Sequence, residues 1–277
     1  MEKTIAVLGG DKRMALLAQL LQEDGFAVLT WGLDSASDSP LDQALGAERI
    51  ILPTPPARGD VLNCRAEEAP ALDALFARLS AAQRLYAGGV KPALRELAAR
   101  RGLTLTDYLA HEETAVRNTV PTAEGALVLA MAETDFTLCG TPCLVLGFGR
   151  IGKLLAHRLR GLGAEVAVSA RRMDDLAWID AFGYRALHTN RLAGALGSFR
   201  VVFNTVPHTV LDAELLGELP RDCVLIELAS GPGFDRAAAE ELGLRCISGG
   251  GLPGKAAPES AARIIRAALI KLWEEET

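Results

Sequence analysis

The chain has 277 residues, 49% of them apolar and 23% charged, a balance that excludes disorder and leaves room for two domains, each with its own core. A formal charge of −6 argues against nucleic acid as the main partner, because binding along a phosphate backbone needs a basic surface. Small molecules held by local positive charge are the expected ligands. The amino terminus, Met1-Glu2-Lys3-Thr4, runs straight into Ile5-Ala6-Val7-Leu8 with no secretion signal. The longest apolar runs, such as 125–132, fall well short of the roughly 20 residues that span a bilayer. A cytoplasmic protein without a membrane partner is expected. The five cysteines contain no C-x-x-C pair, and the C-x-x-x-C spacing of Cys139 and Cys143 is a poor ligand pattern. Mostly buried, reduced thiols and no metal site follow.

In chain order, an apolar strand over 4–8 meets the turn Gly9-Gly10-Asp11, a helix runs to about Asp24, Gly25 stops it, and 26–31 reads as the next strand. A short strand over 48–52 ends at Pro53-Thr54-Pro55-Pro56, and 70–80 reads as a helix. Leu85-Tyr86-Ala87 is a buried strand closed by Gly88-Gly89; Pro92 opens a helix to about Arg101, before a strand over 103–108. Strands and helices alternating at these lengths predict a parallel sheet covered on both faces, with ligands at the strand carboxyl ends.

Between the halves, Asn118-Thr119-Val120-Pro121-Thr122-Ala123-Glu124-Gly125-Ala126 reads as a linker whose Pro-Thr start enters an apolar helix to about Glu133. On that reading Thr122 caps the helix and Glu124 complements its dipole. The domain boundaries that follow are 1–117 for a first α/β domain, 118–137 for an interdomain helix and 138–257 for a second domain. The amphipathic helix over 258–277 is expected to pack back on the first domain.

The second domain opens with the most informative stretch of the chain, Cys143-Leu144-Val145-Leu146-Gly147-Phe148-Gly149-Arg150-Ile151-Gly152. An apolar strand breaks there into a G-x-G-x-x-G turn and enters a helix, which predicts a dinucleotide phosphate site. Gly147 allows the tight turn, Gly149 lets the backbone approach a pyrophosphate, and Gly152 lets the helix lie close to the strand. Ile151, Leu154, Leu155, Leu159 and Leu162 share one helical face, Gly163 ends the helix, and 165–170 is the next strand. Where that strand ends, NAD-binding units carry an acid for the ribose 2′-OH; this chain reads Ser169-Ala170-Arg171-Arg172 instead. An arginine pair suits a 2′-phosphate, at roughly 1.5–3 kcal/mol per charge-assisted bond, so NADP is expected over NAD. Further strands are expected near 184–187, 200–204, 223–228 and 245–248. The loops behind three of them are placed by topology at the cofactor or the cleft: Asn204-Thr205-Val206-Pro207, Ala229-Ser230-Gly231-Pro232-Gly233 and Gly249-Gly250-Gly251-Leu252-Pro253-Gly254.

The glycine turn, Asn118-x-x-Pro121-Thr122-Ala123-Glu124-Gly125, Asn204-Thr205-Val206-Pro207, Leu228-Ala229-Ser230-x-Pro232-Gly233 and Gly251-Leu252-Pro253-Gly254-x-x-Ala257-Pro258, together with Val7-Leu8-Gly9-Gly10-Asp11-x-Arg13, make six motifs in order along nearly the whole length. In this set the chain resembles the A subunits of dipicolinate synthase. More distantly it is similar to D-2-hydroxyacid dehydrogenases and S-adenosylhomocysteine hydrolase. The resemblance implies two Rossmann-like, doubly wound domains with an interdomain cleft. It also implies an oxidoreductase, working with a B subunit in a homo- or hetero-oligomer, that converts dihydrodipicolinate to dipicolinate in the mother cell of sporulating bacteria.

Such a substrate carries two carboxylates, which need cationic or N–H-rich partners. Arg13, Arg117, Thr122 and Lys255 are the candidates for them. Glu124 and His208 are candidate proton acceptors, and neither is singled out as the base. Two other readings stay open: a scaffold that binds NADP and leaves chemistry to its partner, and a 2-hydroxy or 2-amino acid dehydrogenase. The latter is weakened by the absence of the Arg and acid–His pair on which such enzymes generally rely.

Overall fold

Residues 4–33 and 38–276 are described by a computed structural model; residues 1–3, which enter the amino-terminal reading, lie outside them, as does Thr277. The chain divides into two units, one holding residues up to Asn118 together with those from Ala257 onward, the other Thr119–Ala256.

The first unit begins with β1 (Thr4–Leu8), α1 (Lys12–Glu23), β2 (Ala27–Trp31), α2 (Leu41–Ala44) and β3 (Arg49–Ile51). A small antiparallel hairpin, β4 (Ala57–Arg58) and β5 (Val61–Leu62), follows, then α3 (Leu72–Phe76), β6 (Arg84–Ala87), α4 (Pro92–Arg100) and β7 (Thr104–Asp107). The five long strands form a parallel sheet in the order β2-β1-β3-β6-β7. Ile5, Ala6, Val7 and Leu8 are all fully buried, as a strand covered on both faces requires. The hairpin was not legible in the sequence, and the helix expected over 70–80 is a single turn and a half.

Helix α5 (Glu112–Ala132) corrects the linker reading, since one continuous helix starts well before Pro121 and carries that proline inside it. A mid-helix proline costs about 3 kcal/mol. Here Thr119, Pro121, Thr122, Ala123 and Ala126 are all buried, and that burial outweighs the lost hydrogen bond.

The second unit continues with β8 (Pro142–Leu146), α6 (Arg150–Gly161), β9 (Glu165–Ala170), α7 (Met173–Ala181), β10 (Arg185–His188) and β11 (Val201–Asn204). Then come α8 (Ala213–Gly217), β12 (Val224–Glu227), α9 (Arg236–Glu241), β13 (Arg245–Ser248) and α10 (Leu252–Ala256). All six strands are parallel, in the order β10-β9-β8-β11-β12-β13. The order reverses between β8 and β11, and ligands of doubly wound sheets bind outside the strand carboxyl ends at such a switch.

Finally α11 (Pro258–Glu275) lies on α1 within the first unit. Its Trp273, 5% exposed, meets Phe26 and Tyr86 edge-on at 5.3 and 6.0 Å, and the Arg49 guanidinium lies 4.5 Å over its ring.

Candidate functional site: a dinucleotide cradle

Each glycine of the turn has a distinct steric reason. Gly147 follows β8 with φ +96°, and a Cβ there would stand 2.6 Å from Thr205 Oγ1 and 2.8 Å from Val206 Cγ2. A Cβ on Gly152 would be 2.1 Å from the Gly147 carbonyl oxygen. Gly149, the N-cap of α6, is extended, and a Cβ added to it meets nothing within 4 Å. No side chain caps this helix, so its first N–H groups are left to an anion that approaches over Gly149. The residues present therefore fit a dinucleotide diphosphate. Phe148 contributes its backbone to the turn while its ring is buried in the core; Arg150 is exposed and Ile151 half-buried on the first helical turn.

At the end of β9, Ser169 is fully buried and accepts a hydrogen bond from the Thr189 hydroxyl at 3.3 Å. Arg171 lines a cavity of about 550 Å³ with Thr189, Asn190, His208, Thr209 and Leu215. Arg172 differs from it. Its side chain is 74% exposed, and its Nη2 donates to Asp174 Oδ2 at 3.1 Å. The structure thus separates the two arginines that the sequence treats as a pair. His208, in the loop after β11, lines the same cavity as Arg171.

On the other side of the switch, Asn204 and Glu227 end β11 and β12 in register. Asn204 is fully buried, and its amide donates to Glu227 Oε1 at 2.6 Å and to the Val206 carbonyl at 2.8 Å while accepting from the Val206 N–H. Its side chain is thereby bonded within the protein. Glu227, 5% exposed, also accepts from the Ala229 and Gly233 N–H groups at 3.1 and 2.7 Å. Sequence reasoning passed over Glu227. The signal was present in a lone acid closing the apolar run Val224-Leu225-Ile226. Thr205 bonds back to the Leu146 carbonyl at 2.8 Å, Val206 and Ala229 are half-buried, and Pro207 and Ser230 are exposed.

Arg13, a candidate for substrate carboxylates, is only 6% exposed. Its Nε donates to both Asp11 oxygens at 2.9 and 3.1 Å, and its Nη2 to Asp11 Oδ2 and to the Thr54 carbonyl, both at 2.8 Å. Asp11 also caps α1 by accepting from the Arg13 N–H. Burial works to raise the Asp11 pKa, but the hydrogen bonds and charge of Arg13 prevail and hold it below the usual carboxylate value. Arg117 is exposed and pairs with Glu113 one turn earlier at 3.0 Å. Thr122 is buried in the middle of α5, so neither it nor Glu124 starts a helix; Glu124 is exposed, 3.8 Å from Arg158 Nη2. Lys255 is exposed on α10, a helical turn where a glycine-rich loop was expected.

A larger cavity of about 910 Å³ lies in the first unit between the β4–β5 hairpin, α3 and α4, and Pro55 and Gly89, from loops after β3 and β6, line it. All five cysteines are free, and burial pushes the Cys143 and Cys223 thiols up to about 12, so both stay protonated and inert. Among the described residues no helix is long and apolar enough to cross a membrane.

The switch-point cradle and the strand order define a Rossmann fold of the dehydrogenase type, and residues 117–242 match the family described as D-isomer specific 2-hydroxyacid dehydrogenase, NAD binding domain. Residues 4–109 match the N-terminal domain family of the dipicolinate synthase A subunit. The chain is 31% identical, over 98% of its length and 96% of the relative's, to the dipicolinate synthase A subunit of Bacillus subtilis (strain 168). The crystal structure of the dipicolinate synthase A subunit from Bacillus halodurans superposes with a TM-score of 0.90 at 30% identity, covering 98% of each chain. That of the Bacillus subtilis protein gives 0.86 at 30% identity, covering 99% of this chain and 97% of the other. The chain belongs to the family of dipicolinate synthase A subunits.

Proposed function

We propose that this chain oxidises dihydrodipicolinate to dipicolinate, with NADP as the hydride acceptor, in a cytoplasmic assembly with a B subunit in sporulating cells. The observation that carries the reading is the cradle at Gly147, Gly149 and Gly152, open over Gly149 and sterically closed at the other two. The substrate and the assembly are supported by the names of the relatives, which are A subunits of dipicolinate synthases.

A nicotinamide ring, when bound, supplies the acceptor for a hydride. The substrate gives up that hydride and one proton, and dipicolinate, NADPH and H⁺ result. Aromatisation of the ring drives the exchange, so the chain's task is placement, within roughly 3–3.5 Å of the acceptor carbon. The uncapped N–H groups at the start of α6 hold the diphosphate, and Arg171 in its cavity takes the 2′-phosphate. Arg117, in the first unit, is assigned to a substrate carboxylate, and Arg13 to shaping the start of α1 through its pair with Asp11.

The test is to purify the chain with and without the B subunit, supply fresh dihydrodipicolinate and NADP, and follow nicotinamide reduction together with dipicolinate formation. The expected result is that both products appear one for one. No NADP reduction in either arm overturns the reading, and turnover only with B present assigns the chemistry to the pair.

A further inference from the structure

The loops after β11 and β12 follow the strand carboxyl ends beside the switch point, and a single buried carboxylate ties them together. Glu227 accepts from the side chain of Asn204 behind one loop and from two backbone N–H groups, of Ala229 and Gly233, in the other. Asn204 in turn fixes Val206 from both sides, through its carbonyl and its N–H. The loops touch closely elsewhere. A Cβ on Gly231 would stand 2.7 Å from the Pro207 carbonyl oxygen, and one on Gly233 would stand 1.8 Å from Asn204 Nδ2. All three partners of Glu227 are donors, so only an acceptor at both oxygens satisfies them.

From this we infer that Glu227 is a positioning residue for the redox half of the dinucleotide, holding Thr205–Val206 and Ala229–Ser230 as one platform beside the switch point. The inference rests on the nicotinamide-nucleotide reading of the cradle. The adenosine half is assigned to Arg171, Thr189 and Asn190 at the β9–β10 ends, none of which bonds to Glu227, although His208, Thr209 and Val210 of the loop after β11 line the same cavity.

The separation supplies the test. Glu227→Gln presents one donor and one acceptor where two acceptors are needed, so it must release either Gly233 or the Asn204 and Ala229 pair. Calorimetric titration of the full chain with NADPH and with adenosine 2′,5′-bisphosphate is the measurement. In the variant, NADPH weakens by at least about tenfold, comparable with the loss of one bond to a charged group. The bisphosphate fragment binds within about twofold of its original affinity, well inside the tenfold that 1.4 kcal/mol represents. Gly233→Ala, which displaces Asn204 without altering Glu227, produces the same split and carries the test if Glu227→Gln does not fold. Equal losses for the two ligands, or no loss, overturn the inference. Failure of the unaltered chain to bind either ligand overturns the cofactor reading instead.

Discussion

Asp11 caps the first helix of the chain and, two residues on, clamps the guanidinium of Arg13 with both of its oxygens. Arg13 also donates to the Thr54 carbonyl, so one carboxylate both caps α1 and orients the guanidinium that ties this helix start to the loop after β3. Replacement with asparagine preserves the cap, since Asn and Asp are comparable there, but removes the charge and turns one of the two oxygens that accept from Arg13 into a donor. Breaking a buried pair costs about 3–5 kcal/mol, and partial exposure of Asp11 reduces this to roughly 2 kcal/mol. Urea unfolding of Asp11→Asn near neutral pH is expected to show that loss.

The same pair has a pH signature. Asp11 has a depressed pKa in the folded chain, so its stabilisation is complete above the ordinary carboxylate pKa and is lost as pH falls through the depressed value. Unfolding free energy followed from neutral to acidic pH should therefore fall less steeply in Asp11→Asn than in the unaltered chain. Parallel curves would show that the pair contributes nothing.

Gly149 and Gly152 are predicted to fail differently. Gly149→Val places its side chain in open space, so unliganded thermal stability should hold while NADPH affinity falls at least about a hundredfold, as expected when a diphosphate and its bonds are excluded. Gly152→Ala drives a Cβ into the Gly147 carbonyl, and both stability and binding should fall. Differential scanning calorimetry with and without NADPH separates the two outcomes.

Arg171 and Arg172 should also divide. Arg171→Ala is expected to weaken NADPH by roughly 10- to 100-fold, the equivalent of one charge-assisted bond, and to leave NADH nearly unchanged. Arg172→Ala, which removes an exposed side chain already paired with Asp174, should have a far smaller effect. Equal losses for NADPH and NADH in Arg171→Ala would show that it does not read the 2′-phosphate.

Much of this architecture was legible in the chain itself. The buried strands announce themselves as unbroken apolar runs, and the cradle is visible because three glycines at this spacing, between an apolar strand and an amphipathic helix, specify a tight turn and a close helix–strand approach. Helix α5 was misread because Pro121 is a local stop signal, and only tertiary burial of Thr119, Thr122, Ala123 and Ala126 overrides it. The turn of helix at α10 was hidden by its Pro253 and Gly254 for the same reason. Side-chain partners were the least legible. Nothing in the spacing of Asn204 and Glu227, or in the adjacency of Arg171 and Arg172, tells which atoms meet; parallel pairing of β11 with β12 decides the first, and the start of α7 the second.

The most direct measurement is a calorimetric titration of the purified chain with NADPH and, separately, with NADH. The account predicts saturable binding of one nucleotide per chain, tighter for NADPH. Absence of saturable binding for both would contradict it.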